Sequence, residues 1–341
     1  MLRMLMTRMH TESRILLGVD PALQCRTGVG RSTLLRTLAD RVSSLFKHTL
    51  CLQAGSPIQW SGSLLGAARQ LDLRQQEFRR KSDLTGAIRG WLSHQDRWLL
   101  LIDQVSDLDE ITELLQGVGN GHVIVVLQNP LESAVEGWSA PLPIGTLSPD
   151  DAAAILRKSA GLQSEQKDLE QTLPLAGLIE GNPLCAELAG QLIAAGVLPV
   201  DQLRELLQEG RESSPLTTLL GTAISWLETV APDALVILAA AVLLSPNPLS
   251  VNHLSGLERR LSASADLLKW NTSLGLIRRT PDAAFEVPAG PGVVVDPPDG
   301  KIPYQPWALA HKKDMITNHP YDDPQAHCTL SGVPRQIYTP F

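Results

Sequence analysis

The sequence predicts an α/β protein, with a parallel sheet covered by helices and a helical part after it. Three observations predict this. Over residues 14 to about 150, short apolar runs alternate with helical patterns, as in strand–helix–strand units. Trp98-Leu99-Leu100-Leu101-Ile102 is apolar on both faces, as a central parallel strand must be. Residues 148 to 280 then read as almost wholly helical, with no fixed repeat period.

Taken in order, the strands are expected at Ile15–Val19, His48–Leu52, Trp98–Ile102, Val123–Leu127 and Leu142–Ile144. Between them, helical spacing places helices at Ser32–Leu45, Gly62–Leu71, Ser82–Ser93 and Asp109–Leu115. Ser148-Pro149-Asp150-Asp151 starts the helical part. Ser caps, Pro fits the first turn, and two acids meet the positive end of the helix dipole. Helices follow at Asp150–Ala160, Asp168–Ile179, Leu184–Ala194, Val200–Gln208, Leu216–Glu228 and Pro232–Leu244, with shorter ones at Ser250–Ser255 and Ser262–Asn271. From residue 281 onward the pattern stops. That stretch holds eleven of the 24 prolines and all three tyrosines, so an extended tail is expected, because proline blocks helices and central strands.

Composition narrows the function classes. Apolar residues make up 43% and charged residues 19% of 341, as suits a soluble globular protein of two or three domains. The net charge of −7 gives no overall pull toward nucleic acid or anionic membrane. The longest apolar run, Ala234 to Leu244, has eleven residues, against about 20 needed to span a bilayer. Glu12 and the lack of a cleavage pattern argue against an organellar presequence at the start. The four cysteines form no CxxC pair, so reduced thiols in a cytoplasmic protein are expected.

The chemistry centres on Thr27-Gly28-Val29-Gly30-Arg31-Ser32-Thr33. A phosphate loop has the form GxxxxGK[ST]. Its backbone amides converge on phosphates, its Lys reaches the terminal phosphates, and its hydroxyl holds Mg²⁺. Gly30 and Ser32 match, and Gly28 adds a glycine inside the loop. Cys25 stands at the first Gly and Arg31 at the Lys. About 70 residues on, Leu99-Leu100-Leu101-Ile102-Asp103 is an apolar strand ending in an acid, the form that places a carboxylate beside the Mg²⁺ site.

With these motifs in order, residues 14 to 280 resemble the NB-ARC class of STAND signalling ATPases, the nucleotide switches of immune and apoptotic receptors and their microbial relatives. Further motifs carry the resemblance. Gly121 to Pro130 is similar to the strand and sensor turn, and Leu142 to Ala152 to the entry of the small helical domain. Gly181-Asn182-Pro183-Leu184 is similar to the GLPL motif, whose Pro packs near the adenine, and residues 216 to 280 to a winged helix.

The resemblance implies a P-loop domain over 14–147, a small helical domain over 148–212 and a winged-helix domain over 213–289. An N-terminal extension (1–13) and a Pro-rich tail (290–341) flank them. It implies ATP or ADP with Mg²⁺ as ligands. Gly28, Val29, Gly30, Arg31, Ser32 and Thr33 would be on the phosphates and Pro183 by the adenine. Ser32 and Asp103 would hold the metal, and Asp103 would be the catalytic residue. Protein partners or self-association are expected; membrane and nucleic acid are not.

The sequence departs from that family at Arg31, at Gln128 in place of a nucleotide-sensing Arg, at Ser106 or Asp107 in place of a second acid, and at Pro288 in place of a His-containing motif. At most slow hydrolysis is expected. No stretch of these 341 residues is expected to form the family's effector domain or its sensor repeats. Two alternatives follow from the same residues: a scaffold that has lost its nucleotide, or a winged-helix DNA-binding regulator using Arg259, Arg260, Lys269, Arg278 and Arg279. His311, His319, His327 and Cys328 fit no compact zinc spacing.

Overall fold

A computed structural model describes residues 1–23, 27–73, 81–129, 135–162, 166–210, 213–244, 267–279 and 285–286. These fall into two units. Described residues within 1–24 and 30–145 make the first, and those within 25–29 and 146–330 the second.

The first unit is an α/β sheet domain. Its strands are β1 (Arg14–Val19), β2 (His48–Gln53), β3 (Trp98–Val105), β4 (Gly121–Leu127) and β5 (Leu142–Ile144), all parallel, in the order β2-β3-β4-β1-β5. The five expected strands are all present. The residues Trp98 to Ile102 are each at most 1% exposed, because β3 is flanked by β2 and β4 and helices cover both faces. One face packs Leu16, Leu50, Leu52, Leu100, Ile102, Val123 and Val125 against Leu64, Ile88 and Leu92 of α3 (Pro57–Gln70) and α4 (Lys81–His94). Each such leucine contributes about 1.5–3 kcal/mol by leaving water.

Helix α2 (Arg31–Val42) follows the loop after β1, and α5 (Asp109–Leu115) joins β3 to β4. Helix α3 starts five residues earlier than apolar spacing predicts. Ser56 Oγ accepts the Gln59 amide at 3.2 Å and Pro57 opens the helix, a polar start that periodicity does not register. Residues 1–13 carry α1 (Leu2–Arg8), which holds Leu5 fully buried while the Arg8 guanidinium donates to the Ala140 carbonyl at 2.9 Å.

The second unit is helical over most of its described length: α6 (Pro149–Ala160), α7 (Gln166–Leu178), α8 (Pro183–Ala194), α9 (Val200–Glu209), α10 (Pro215–Val230), α11 (Pro232–Leu244) and α12 (Leu267–Ser273). A two-residue antiparallel pair, β6 (Arg278–Arg279) with β7 (Phe285–Glu286), closes it. Three helices repeat one start signal. Ser148, Asn182 and Ser214 each cap with a side-chain oxygen, and Pro follows at the first turn. One buried core runs from Ala152 through Leu188 and Leu219 to Ile277. Alanines on α6 and α8 (Ala152, Ala153, Ala186, Ala189) sit in that core, small enough for close helix packing. Among the described residues no helix is long and apolar enough to cross a membrane. The expected helix at Ser250–Ser255, the tail from 290 and Pro288 lie outside the described residues.

Candidate functional site

In a parallel sheet, loops that bind ligands gather at the carboxyl ends of the strands. β1 leads into the glycine loop, and Asp103 stands near the end of β3. Gly30, at φ +88°, is the residue that starts α2, and no side chain caps that helix. An L side chain at such an angle is strained, so glycine is needed for the turn. The first-turn amides of Arg31, Ser32 and Thr33 therefore lack an intrahelical acceptor and stand where a helix end attracts anions.

Two of these residues reach into the sheet domain. Ser32 Oγ donates to Asp103 Oδ2 at 2.5 Å. The other carboxylate oxygen accepts the Gln104 amide at 2.9 Å. Asp103 is fully buried, and burial pushes its carboxyl above the usual carboxylate range, against the pull of Ser32, Arg31, the Gln104 amide and Arg36. A buried carboxylate and a hydroxyl are hard oxygen donors, the set that suits Mg²⁺ together with phosphate and water. Ser32 and Asp103 therefore fit the metal role that sequence gave them. Among the described residues no cluster of three or more His, Cys, Asp or Glu side chains forms.

Arg31 is bonded to the neighbouring strand. Its Nη1 donates to the Leu127 carbonyl at 3.2 Å and the Gln128 carbonyl at 3.3 Å, at the end of β4. Burial lowers its pKa, and Asp103 offsets part of that. A single guanidinium nitrogen thus donates to both carbonyls. Thr33 is exposed, and its carbonyl accepts the Thr37 hydroxyl at 2.7 Å.

The loop's first half belongs to the second unit. Val29 is buried there. The Thr27 carbonyl accepts from Asn182 Nδ2 at 2.8 Å, and the Gly28 carbonyl from the Leu184 amide at 3.2 Å. Gly28 has φ +79°, and a Cβ there would stand 2.5 Å from the Leu184 Cβ. Pro183 lies half-buried at the first turn of α8, beside Asn182.

Two residues escaped sequence reasoning. Asn182 was passed over for its neighbour Pro183, although Asn before Pro at a helix start is a cap signal. Gln104, next to Asp103, has φ +62°, where β3 shifts register against β4. Only a local energy cost marks such a residue, and sequence does not show it. The two residues read as standing in place of a water-positioning acid take part in starting α5. Ser106 Oγ donates to Glu110 Oε1 at 3.1 Å, and Asp107 Oδ1 accepts the Asp109 amide at 3.0 Å. Cys25, the departure at the first glycine position, lies outside the described residues, as do the tail histidines, Cys328, Arg259 and Arg260.

Comparison of the sequence with family models and with curated proteins gives no match. Solved structures do match. A STAND protein with a tetratricopeptide repeat sensor from Pyrococcus horikoshii aligns with 93% of this chain at TM-score 0.56 and 13% identity. This chain spans 45% of that protein's length. A Walker-type ATPase of Pyrococcus abyssi aligns at TM-score 0.38 and 13% identity, covering 86% of this chain and 93% of its own. The ORC2 protein of Aeropyrum pernix aligns at TM-score 0.37 and 16% identity, covering 92% and 93%. The likeness to the first supports the fold alone: an α/β domain with a five-stranded parallel sheet, as in P-loop NTPases.

Proposed function

We propose that the chain is an adenine-nucleotide-binding switch module of the STAND type that hydrolyses ATP slowly or not at all. The observation that carries the reading is the Ser32–Asp103 hydrogen bond of 2.5 Å, which joins the uncapped start of α2 to the buried acid of β3. Amides at Gly30 to Thr33 would donate to phosphate oxygens, and Ser32 with Asp103 would hold Mg²⁺. Held by Ser32 and Asp103, Mg²⁺ would supply positive charge to offset that of the phosphates. Pro183 by the adenine and a winged helix built on α10, α11, α12 and the β6–β7 pair remain parts of this proposal, supported by the resemblance and by that element order.

Slow turnover follows from what the residues are already doing. Arg31 is bonded to the end of β4. Ser106 and Asp107 are engaged at α5. Removing one preorganised group typically costs about a hundredfold or more in rate. The chain would then report which nucleotide it holds rather than consume it, with a protein partner or a second copy as its reader. Extraction of freshly purified protein tests this. Adenine nucleotide released in near-equal amount to protein is expected, and none after purification in Mg²⁺ and ADP would contradict the reading.

A further inference from the structure

Asn182 is 2% exposed, and its side chain does two things at once. Oδ1 accepts the amides of Leu184 at 3.0 Å and Cys185 at 3.2 Å, capping α8. Those two donors fix which end of the carboxamide is oxygen, so Nδ2 faces the Thr27 carbonyl at 2.8 Å. The Leu184 amide is shared with the Gly28 carbonyl. The carbonyl oxygens of two successive loop peptides are thus held at the start of α8.

Peptide planarity turns this into a consequence for the other side of the loop. In a trans peptide the C=O and the following N–H point in opposite directions. With the Thr27 oxygen held by Asn182, the Gly28 N–H points away from α8. With the Gly28 oxygen held by Leu184, the Val29 N–H does the same. A phosphate loop works by presenting such consecutive amides to an anion.

Resting on the nucleotide reading above, we propose that Asn182 is the positioning residue that aims the Gly28 and Val29 amides at phosphate. The α7–α8 turn and the nucleotide then control one another. Whatever draws Asn182 off Thr27 lowers affinity, and by linkage bound nucleotide tightens the turn by the same factor. Gly28 is needed here for contact with Leu184 as well as for its backbone angle.

The test uses Asn182→Ser and Asn182→Asp in the full chain. Both keep an oxygen to cap α8 and remove the Nδ2 that donates to Thr27, the Ser hydroxyl being on a shorter side chain; Asp also sets an oxygen against that carbonyl. ADP affinity is measured by calorimetry with Mg²⁺, and nicking at Arg26 by trypsin is followed without nucleotide. Expected are near-normal melting, ADP binding weakened roughly 5- to 150-fold, the ordinary range of coupling, more by Asp than by Ser, and faster nicking of both. Wild-type binding with variants within twofold of it would overturn the proposal and leave the nucleotide reading standing. If the wild type binds no ADP, the nucleotide reading falls, and nicking alone decides whether Asn182 sets the loop: equal rates overturn that as well. Should Asn182→Asp fail to fold, Asn182→Ser decides.

Discussion

The two halves of the glycine loop are held in opposite ways. From Gly30 on, side chains do the holding: Ser32 on Asp103, and Arg31 on the carbonyls that end β4. In Thr27 and Gly28 the backbone is held, with two carbonyl oxygens bonded to Asn182 and Leu184. One half depends on residue chemistry and charge, the other on peptide orientation. A substitution in the first should change what the loop binds. A substitution in the second should change whether the loop keeps its shape.

The largest effect is expected from Gly28→Ala, which strikes the backbone half. Alanine at φ +79° is strained, and its methyl would meet Leu184. Strain and crowding together should cost on the order of 2–4 kcal/mol, a fall in melting temperature of roughly 5–10 °C, with ADP binding lost. Normal melting would mean that the loop's first half is not packed as described.

Asp103→Asn strikes the side-chain half and should act in the reverse sense on stability. Burial raises the Asp103 pKa, so the folded protein holds that proton more tightly than the unfolded chain. Its stability contribution is present at low pH and is lost as pH rises through the folded value. Asparagine has no such loss. The melting temperature of the variant minus that of the wild type should therefore grow as pH rises, by about 2–4 °C for each kcal/mol involved, while the Mg²⁺ dependence of nucleotide binding disappears. A difference that stays constant with pH would contradict the burial account.

The legibility of the sequence divides along the same line. Strands such as Trp98–Ile102 were readable because burial on both faces demands unbroken apolar residues. The pairing of Ser32 with Asp103 was readable because a hydroxyl after the glycine loop and an acid at the end of an apolar strand form a recognisable pattern. Asn182 was not, because its contact is with a carbonyl that every residue possesses, so nothing at Thr27 signals it. Arg31 was seen as a substitution, but its acceptors on Leu127 and Gln128 are backbone atoms of a strand distant in sequence. The start of α3 at Pro57 was missed because its signal is a polar cap rather than an apolar stripe.

The smallest effect is expected at Arg31. Arg31→Lys keeps the charge on a shorter, non-planar head, so the loss of one of the two bonds at the end of β4, about 1 kcal/mol, should lower melting by a few degrees at most. Phosphate release should stay below about 1 s⁻¹, the low end of ordinary enzyme turnover. A variant that exceeds this rate would show that Arg31 was only a missing lysine and that its bonds to β4 hold nothing back.

The measurement that bears most directly on the central claim is titration of the wild type and Ser32→Ala with ADP, with and without Mg²⁺, by calorimetry. The Ser32–Asp103 pair predicts binding by the wild type that Mg²⁺ strengthens. Ser32→Ala should bind roughly 10- to 100-fold more weakly, as expected for losing a bond to a charged group, with no response to Mg²⁺. Heat of binding absent from the wild type at millimolar ADP, or a Ser32→Ala variant that binds and responds to Mg²⁺ like the wild type, would contradict it.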